Sequence, residues 1–159
     1  MHAPSVLAYG QLTLLGTLSS VPETAWETPG VCGDWSVKDV VAHLASYEVL
    51  LVDILASVSG DGPTPCLDRF LTPGAPFNDD EVAARRGRSR TEVMAELTET
   101  HARTLEMIAA IPAETIARPG TLTWYGAEYA LDDMIVYMYY GHKREHSAQI
   151  AVFCDRVTI

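Results

Sequence analysis

The chain reads as an all-α protein organised around four long helices, and three observations predict this. Apolar residues recur every three or four positions in four separate segments, the period of a helix with one buried face. Two of those segments open on a serine followed three positions later by an acidic residue, the pattern of a capping box. Strand signals are confined to one short stretch, Thr121 to Tyr125.

The first helix is expected from Pro4 to Ser20, with Leu7, Leu14, Leu15 and Leu18 on one face and Gly10 and Gly16 weakening it. The second starts at Ser36, capped with Asp39, and Trp35 and Val40 are placed to form a hydrophobic staple. Val37, Val40, Val41, Leu44, Leu51, Ile54 and Leu55 give it a wide apolar face until Gly60. A long connection follows from Ser59 to Arg88, rich in Gly and Pro, with Asn78 expected to cap a short helix through Arg86. A connection of that length in a bundle is a crossover or a functional segment. The third helix starts at Ser89, with Glu92 completing its capping box; Met94, Leu97, Leu105, Ile108 and Ile111 form its stripe, and Pro112 ends it. The fourth runs from Tyr129 past His146 to Phe153, with Leu131, Ile135, Met138, Ile150 and Phe153 facing the core.

Residues 1–159 are expected to form one domain with a proper core, and 48% apolar residues exclude a disordered chain. The net charge of −10, with no basic stripe, argues against a nucleic-acid partner. The cluster Arg85, Arg86, Arg88 and Arg90 reads as a solvated loop and helix start. No apolar run approaches a bilayer span, so no membrane role is expected. Val6 to Leu18 lacks the basic flank of a secretory signal and is taken as a structural helix. Cys32, Cys66 and Cys154, odd in number and far apart, do not form a disulfide framework, and the expected location is cytoplasmic.

Chemistry concentrates in three histidines. His142 and His146 stand four apart, one above the other on the same helical face, on a stripe with Ile135, Met138 and Gln149. Buried imidazoles need partners for both ring nitrogens, and two on one stripe imply a shared one. His43 lies on the inward face of the second helix between Val40 and Tyr47. If the two faces converge, the three imidazoles make a site with open positions, as a catalytic divalent ion requires.

The segment Trp35-Ser-Val-Lys-Asp-Val-Val-Ala-His43-Leu resembles the start of the second helix in the DinB/YfiT-like superfamily, and His142-Lys-Arg-Glu-His146-Ser-Ala-Gln-Ile is similar to its fourth-helix motif. The motifs stand in the expected order, and the similarity covers nearly the whole chain. The resemblance implies an up-down-down-up four-helix bundle with a long crossover between helices two and three, often dimeric. It implies His43, His142 and His146 as the metal ligands. It also implies relatives such as mycothiol-dependent maleylpyruvate isomerases and bacillithiol transferases, and hence a low-molecular-weight thiol as cosubstrate.

Two rival metal readings fail on the residues. His142-Lys-Arg-Glu145-His146 matches the His-x-x-Glu-His of inverzincin peptidases, but those are large α/β proteins with a further acidic ligand, for which only Asp155 follows. A ferritin-like di-iron site needs Glu-x-x-His, which no histidine here provides. His101 is expected as a hydrogen-bonded core residue rather than a fourth ligand, and Cys154, roughly 12 Å along the helix from His146, as core. Gln149, Tyr47 and Tyr139 are expected to hold the ligand imidazoles through their second nitrogens. Glu145 is read as a surface ion-pairing group or an acid-base group, and Trp124 and Tyr125 as the mouth of a pocket or as packing. The expected function is a metal-dependent hydrolase or thiol-dependent transferase acting on a small molecule; the alternative is a non-catalytic metal- or ligand-binding module. Zinc is the default ion for such ligands, with nickel, manganese and iron open.

Overall fold

The computed structural model describes residues 2–157. It is all-helical: α1 Ala3–Ser19, a 3-10 turn at Glu23–Ala25, α2 Val37–Ser59, α3 Pro65–Phe70, α4 Phe77–Arg85, α5 Arg90–Ala110, α6 Ala113–Ile116, α7 Leu131–Ile135, a π-helical turn Val136–Gly141, and α8 His142–Val157. α2 packs most extensively on α5, and α1 on α8 and the π-helical turn. Both predicted capping boxes form. Ser36 and Asp39 exchange side-chain and backbone hydrogen bonds at the start of α2, as do Ser89 and Glu92 at the start of α5.

The crossover differs from expectation. It carries two helices, and α4 begins on Phe77 with Asn78 inside its first turn, where Asn78 Oδ1 accepts from the Tyr47 hydroxyl (3.3 Å) instead of capping. Asp53 Oδ2 takes the N-terminal N–H groups of Cys66 and Leu67 (2.6 and 3.2 Å), fastening α3 to α2. The arginine cluster is only partly solvated. Arg85 is buried, pairing with Glu81 (2.6 Å) and Glu96 (2.8 Å); Arg88 joins Glu96 (2.6 Å), and Arg69 joins Glu81 (2.6 Å). Arg90 pairs with Glu23 and lies over the Trp26 ring. The Arg85 and Arg88 pairs with Glu96 clasp the crossover to α5, and of the clustered arginines only Arg86 keeps a solvated position. Thr121 to Tyr125 form turns, and the lone β-bridge among the described residues joins Cys32 to Trp35. There is no disulfide among the described residues.

α2 is also apolar enough over its length to cross a bilayer by composition, which the sequence reading denied; 78% of its most apolar window is buried inside the protein, as in a core helix. Burial, not composition, decides the reading of such a helix.

The core is divided in two. One cluster gathers Leu7, Leu50, Leu51, Ile54, Ile108, Leu131 and Met134; the other gathers Leu14, Leu18, Val40, Val41, Leu44, Leu97, Ile150 and Phe153. Between them each long helix presents buried polar residues: Gln11 from α1, Ser46 and Glu48 from α2, His101 and Thr104 from α5, Lys143, His146 and Ser147 from α8. The candidate site lies at this level.

A candidate three-histidine metal centre

α2 and α8 bring His43, His142 and His146 together. His142 Nε2 lies 2.9 Å from His43 Nε2 and 2.9 Å from His146 Nε2, and the three ligand-capable atoms all lie within 4.8 Å of one another. The set could hold a metal ion and contains neither His101 nor Cys154. His43 and His146 are buried and His142 is half-buried.

Hydrogen bonds on the far side of two of the rings, His146 and His142, orient their protons. Gln149 Nε2 donates to Glu145 Oε1 (3.3 Å), which turns its Oε1 toward His146 Nδ1 at 2.8 Å. A carbonyl oxygen only accepts, so the His146 proton sits on Nδ1 and Nε2 is a bare lone pair. His142 is held by the Met138 backbone carbonyl, and since its Nε2 faces the other imidazoles, that N–H falls on Nδ1. The Nε2 atoms of His142 and His146 then face each other at 2.9 Å as two acceptors, an arrangement that a shared cation would satisfy. A proton is a poor candidate. Burial, reinforced by the neighbouring imidazoles, lowers His43 to about 3; burial and His146 lower His142 to about 4; burial lowers His146. The donor set fits a divalent ion: three neutral imidazoles, two of them oriented by acceptors. His43 Nδ1 is buried without a hydrogen-bond partner.

Of the expected supporting groups, Gln149 is in place. Tyr47 contributes its ring, edge-on to His142 (4.5 Å) and His43 (4.8 Å), while its hydroxyl goes to Asn78. The Tyr139 hydroxyl is buried without a partner, so the Met138 carbonyl performs the task assigned to it. Trp35 leans on His43 (5.0 Å). Trp124 packs on Phe70 and Tyr125 away from the imidazoles. A cavity of about 400 Å³, lined by Tyr47, Tyr137, Met138, Gly141, His142 and Glu145, opens beside His142.

The largest departure from the sequence reading is the phase of the last helix. A continuous α-helix would carry the stripe Ile135, Met138, His142, His146, Gln149. The π-helical turn inserts one residue, so the helix beyond it is rotated by about 100° relative to that stripe. His142 moves to the margin of the core, beside the cavity, and Lys143 takes the interior position at 2% exposure. Gly141 permits this, because a Cβ there would lie 3.2 Å from the Val136 carbonyl oxygen. Gly10 accommodates the neighbouring turn, where a Cβ would meet the Tyr140 backbone at 3.4 Å.

Lys143 then completes a buried polar brace that sequence reasoning missed. Its ammonium donates to Glu48 Oε1 and to Gln11 Oε1 (2.7 Å), and lies 3.4 Å from His101 Nδ1. Glu48, fully buried, is also met by His101 Nδ1 (3.3 Å) and by the Thr104 hydroxyl (3.2 Å). His101 is thus the hydrogen-bonded core residue expected. Burial pushes the Glu48 carboxyl up, but the bonds and charges of His101 and Lys143 outweigh it and hold it below the usual range. The available signal was Glu48 itself, a carboxylate on the apolar face of the second helix.

A family model described as the DinB superfamily matches residues 9–150. No curated protein and no solved structure matches the chain. The family match spans most of the sequence and includes all three histidines, and the chain belongs to the DinB superfamily.

Proposed function

We propose that this member of the DinB superfamily is a metal-dependent enzyme acting on a small molecule, with His43, His142 and His146 holding one divalent ion, zinc in the first instance. The observation that carries the proposal is the convergence of three imidazole nitrogens within 4.8 Å of one another, with the Nε2 atoms of His142 and His146 2.9 Å apart. Bound there, the ion would supply Lewis acidity, lowering the pKa of a coordinated water or low-molecular-weight thiol toward neutrality. That supports hydrolysis or thiol transfer to an electrophile. In this reading the four long helices form an up-down-down-up bundle whose α2 and α8 carry the ligands.

The chain's own residues have separable tasks. Gln149 and the Met138 carbonyl keep the two Nδ1 protons in place, so that both Nε2 atoms point inward. Trp35 and Tyr47 cover His43 and keep water from that side. Glu145, at the cavity rim, is the group placed to take a proton from an incoming nucleophile and return it to a leaving group. The cavity beside His142 favours an enzyme over a sealed structural site.

Metal analysis of purified, tag-free protein tests the assignment. About one divalent ion per chain is expected in the wild type, as one mononuclear site requires, and only traces in His142→Ala. Equal metal content in the two proteins refutes it.

A further inference from the structure

We propose that the cavity beside His142 is built for a small ligand bearing an ammonium group, which rests on Glu145 and on the rings of Tyr47 and Tyr137; this rests on the metal reading above. The cavity walls are two phenol rings, a thioether, an imidazole and one carboxylate, and no lysine or arginine lines them. Aromatic faces attract alkylammonium groups, and a carboxylate at the rim supplies the opposite charge. Glu145 stands three residues after His142 and four after Gly141, on the same rim. Its Oε1 accepts from the Gln149 amide at 3.3 Å, which aims it. Tyr47 is fixed by Asn78, and Tyr137 keeps 72% of its surface exposed.

The neighbouring cations are turned elsewhere. Lys143 points into the buried brace with Glu48, and Arg144 lies against Tyr140 with a 3.1 Å hydrogen bond to its hydroxyl. A carboxylate-bearing ligand entering this cavity would meet Glu145 and no lysine or arginine in the walls, on a chain of net charge −10. The ligand class is therefore an amine of a few carbons whose other end, a thiol or a hydrolysable group, reaches toward His142.

The test uses cobalt-loaded protein titrated with three thiols of similar reach: cysteamine, 2-mercaptoethanol and 3-mercaptopropionate. Each binds as its thiolate, the proton leaving to solvent, and is followed by its thiolate-to-cobalt absorption. At neutral pH and low salt, cysteamine should bind about tenfold more tightly than 3-mercaptopropionate, as one cation–π and ion contact supplies. Glu145→Gln should shrink that ratio to about threefold or less, the level of an exposed charge effect. Asp61→Asn, just past the C-terminal end of α2 and roughly 18 Å along that helix from Tyr47, removes the same charge and should leave the ratio intact. Equal or tighter binding of 3-mercaptopropionate, or a ratio that survives Glu145→Gln, overturns the proposal. A protein that takes up no cobalt sinks the metal reading instead. The ammonium site is then tested on the metal-free chain, where tetramethylammonium should shift the Tyr137 ring resonances in the wild type and not in Glu145→Gln; unshifted wild-type resonances overturn it.

Discussion

Replacing Lys143 with methionine isolates the buried brace. The substitution keeps the length and apolar volume of the side chain and deletes one charge. It leaves the fully buried Glu48 carboxylate with His101 and Thr104 as neighbours but without its ammonium, and leaves Gln11 Oε1 without its donor. Removing one partner of a buried ion pair costs about 3–5 kcal/mol, because the remaining charge stays out of water. Against a total stability of about 5–15 kcal/mol, that is a large share. Urea denaturation followed by far-UV circular dichroism reads it directly. With a slope of about 2 kcal/mol per molar, the midpoint should fall by about 2 M.

The double variant Glu48→Gln/Lys143→Met removes the Glu48–Lys143 charge pair from the brace and should recover at least half of the loss. The deficit of the single variant should also shrink as pH falls from 7 toward 5. Without Lys143, burial is opposed only by His101 and the folded-state pKa of Glu48 moves up, so the penalty is present at high pH and relieved by protonation. A single variant within about 1 kcal/mol of the wild type at pH 7, the range of an exposed pair, would refute a brace of buried, paired charges.

Two further predictions concern the histidine site. In chelator-treated protein the folded state keeps its imidazoles neutral, with His43 lowered to about 3, His142 to about 4 and His146 also lowered, whereas the unfolded chain protonates them near 6.5. Their contribution is complete above that value and is lost as pH falls, at about 1.4 kcal/mol per pH unit for each of His43 and His142, with His146 adding in the same direction. Urea midpoints at pH 7, 6 and 5 should decline accordingly, and His43→Ala should decline less steeply; a wild type flat over that window contradicts the neutral assignment. Gly141→Ala should run against helix propensity, which favours alanine by about 1 kcal/mol. The added Cβ meets the Val136 carbonyl at 3.2 Å and presses the turn toward regular α geometry. Metal content should drop while helicity holds, and a variant with wild-type metal content and higher stability would show that the turn tolerates a side chain.

Much of the helical layout was legible because it is written in local chemistry. Ser36 with Asp39 and Ser89 with Glu92 are short-range capping signals, and both form as read. His43 and His142 lie ninety-nine positions apart, and periodicity placed each on an inward face without placing them against each other; the family resemblance supplied that pairing. What escaped depends on partners distant in sequence. Asn78 looks like a cap until Tyr47 claims its oxygen, and Arg85 looks solvated until Glu96 crosses to it from α5. The phase of the last helix escaped for a different reason. A π-helical turn leaves the hydrophobic pattern continuous on either side and shifts only its register, so Tyr-Tyr-Gly before His142 carries no period that reveals it.

That register shift connects the brace to the three-histidine site. A regular α-helix would carry His142 on the core stripe and turn Lys143 away from Glu48. The inserted residue gives adjacent side chains opposite assignments. Lys143 enters the mid-level polar layer, where residues from all four long helices meet, and His142 turns to the margin, where its Nε2 meets His43 and His146 and its edge meets the cavity. The brace then resists rotation of α8, since moving Lys143 off Glu48 would strand a charge in the interior. The same rotation would separate His142 from His43. In this arrangement the buried ion pair acts as a register lock for the imidazole of His142, one residue away. Its removal in the neutral Glu48→Gln/Lys143→Met variant should therefore weaken metal retention even where stability returns. Stability and metal content restored together would assign the brace to folding alone.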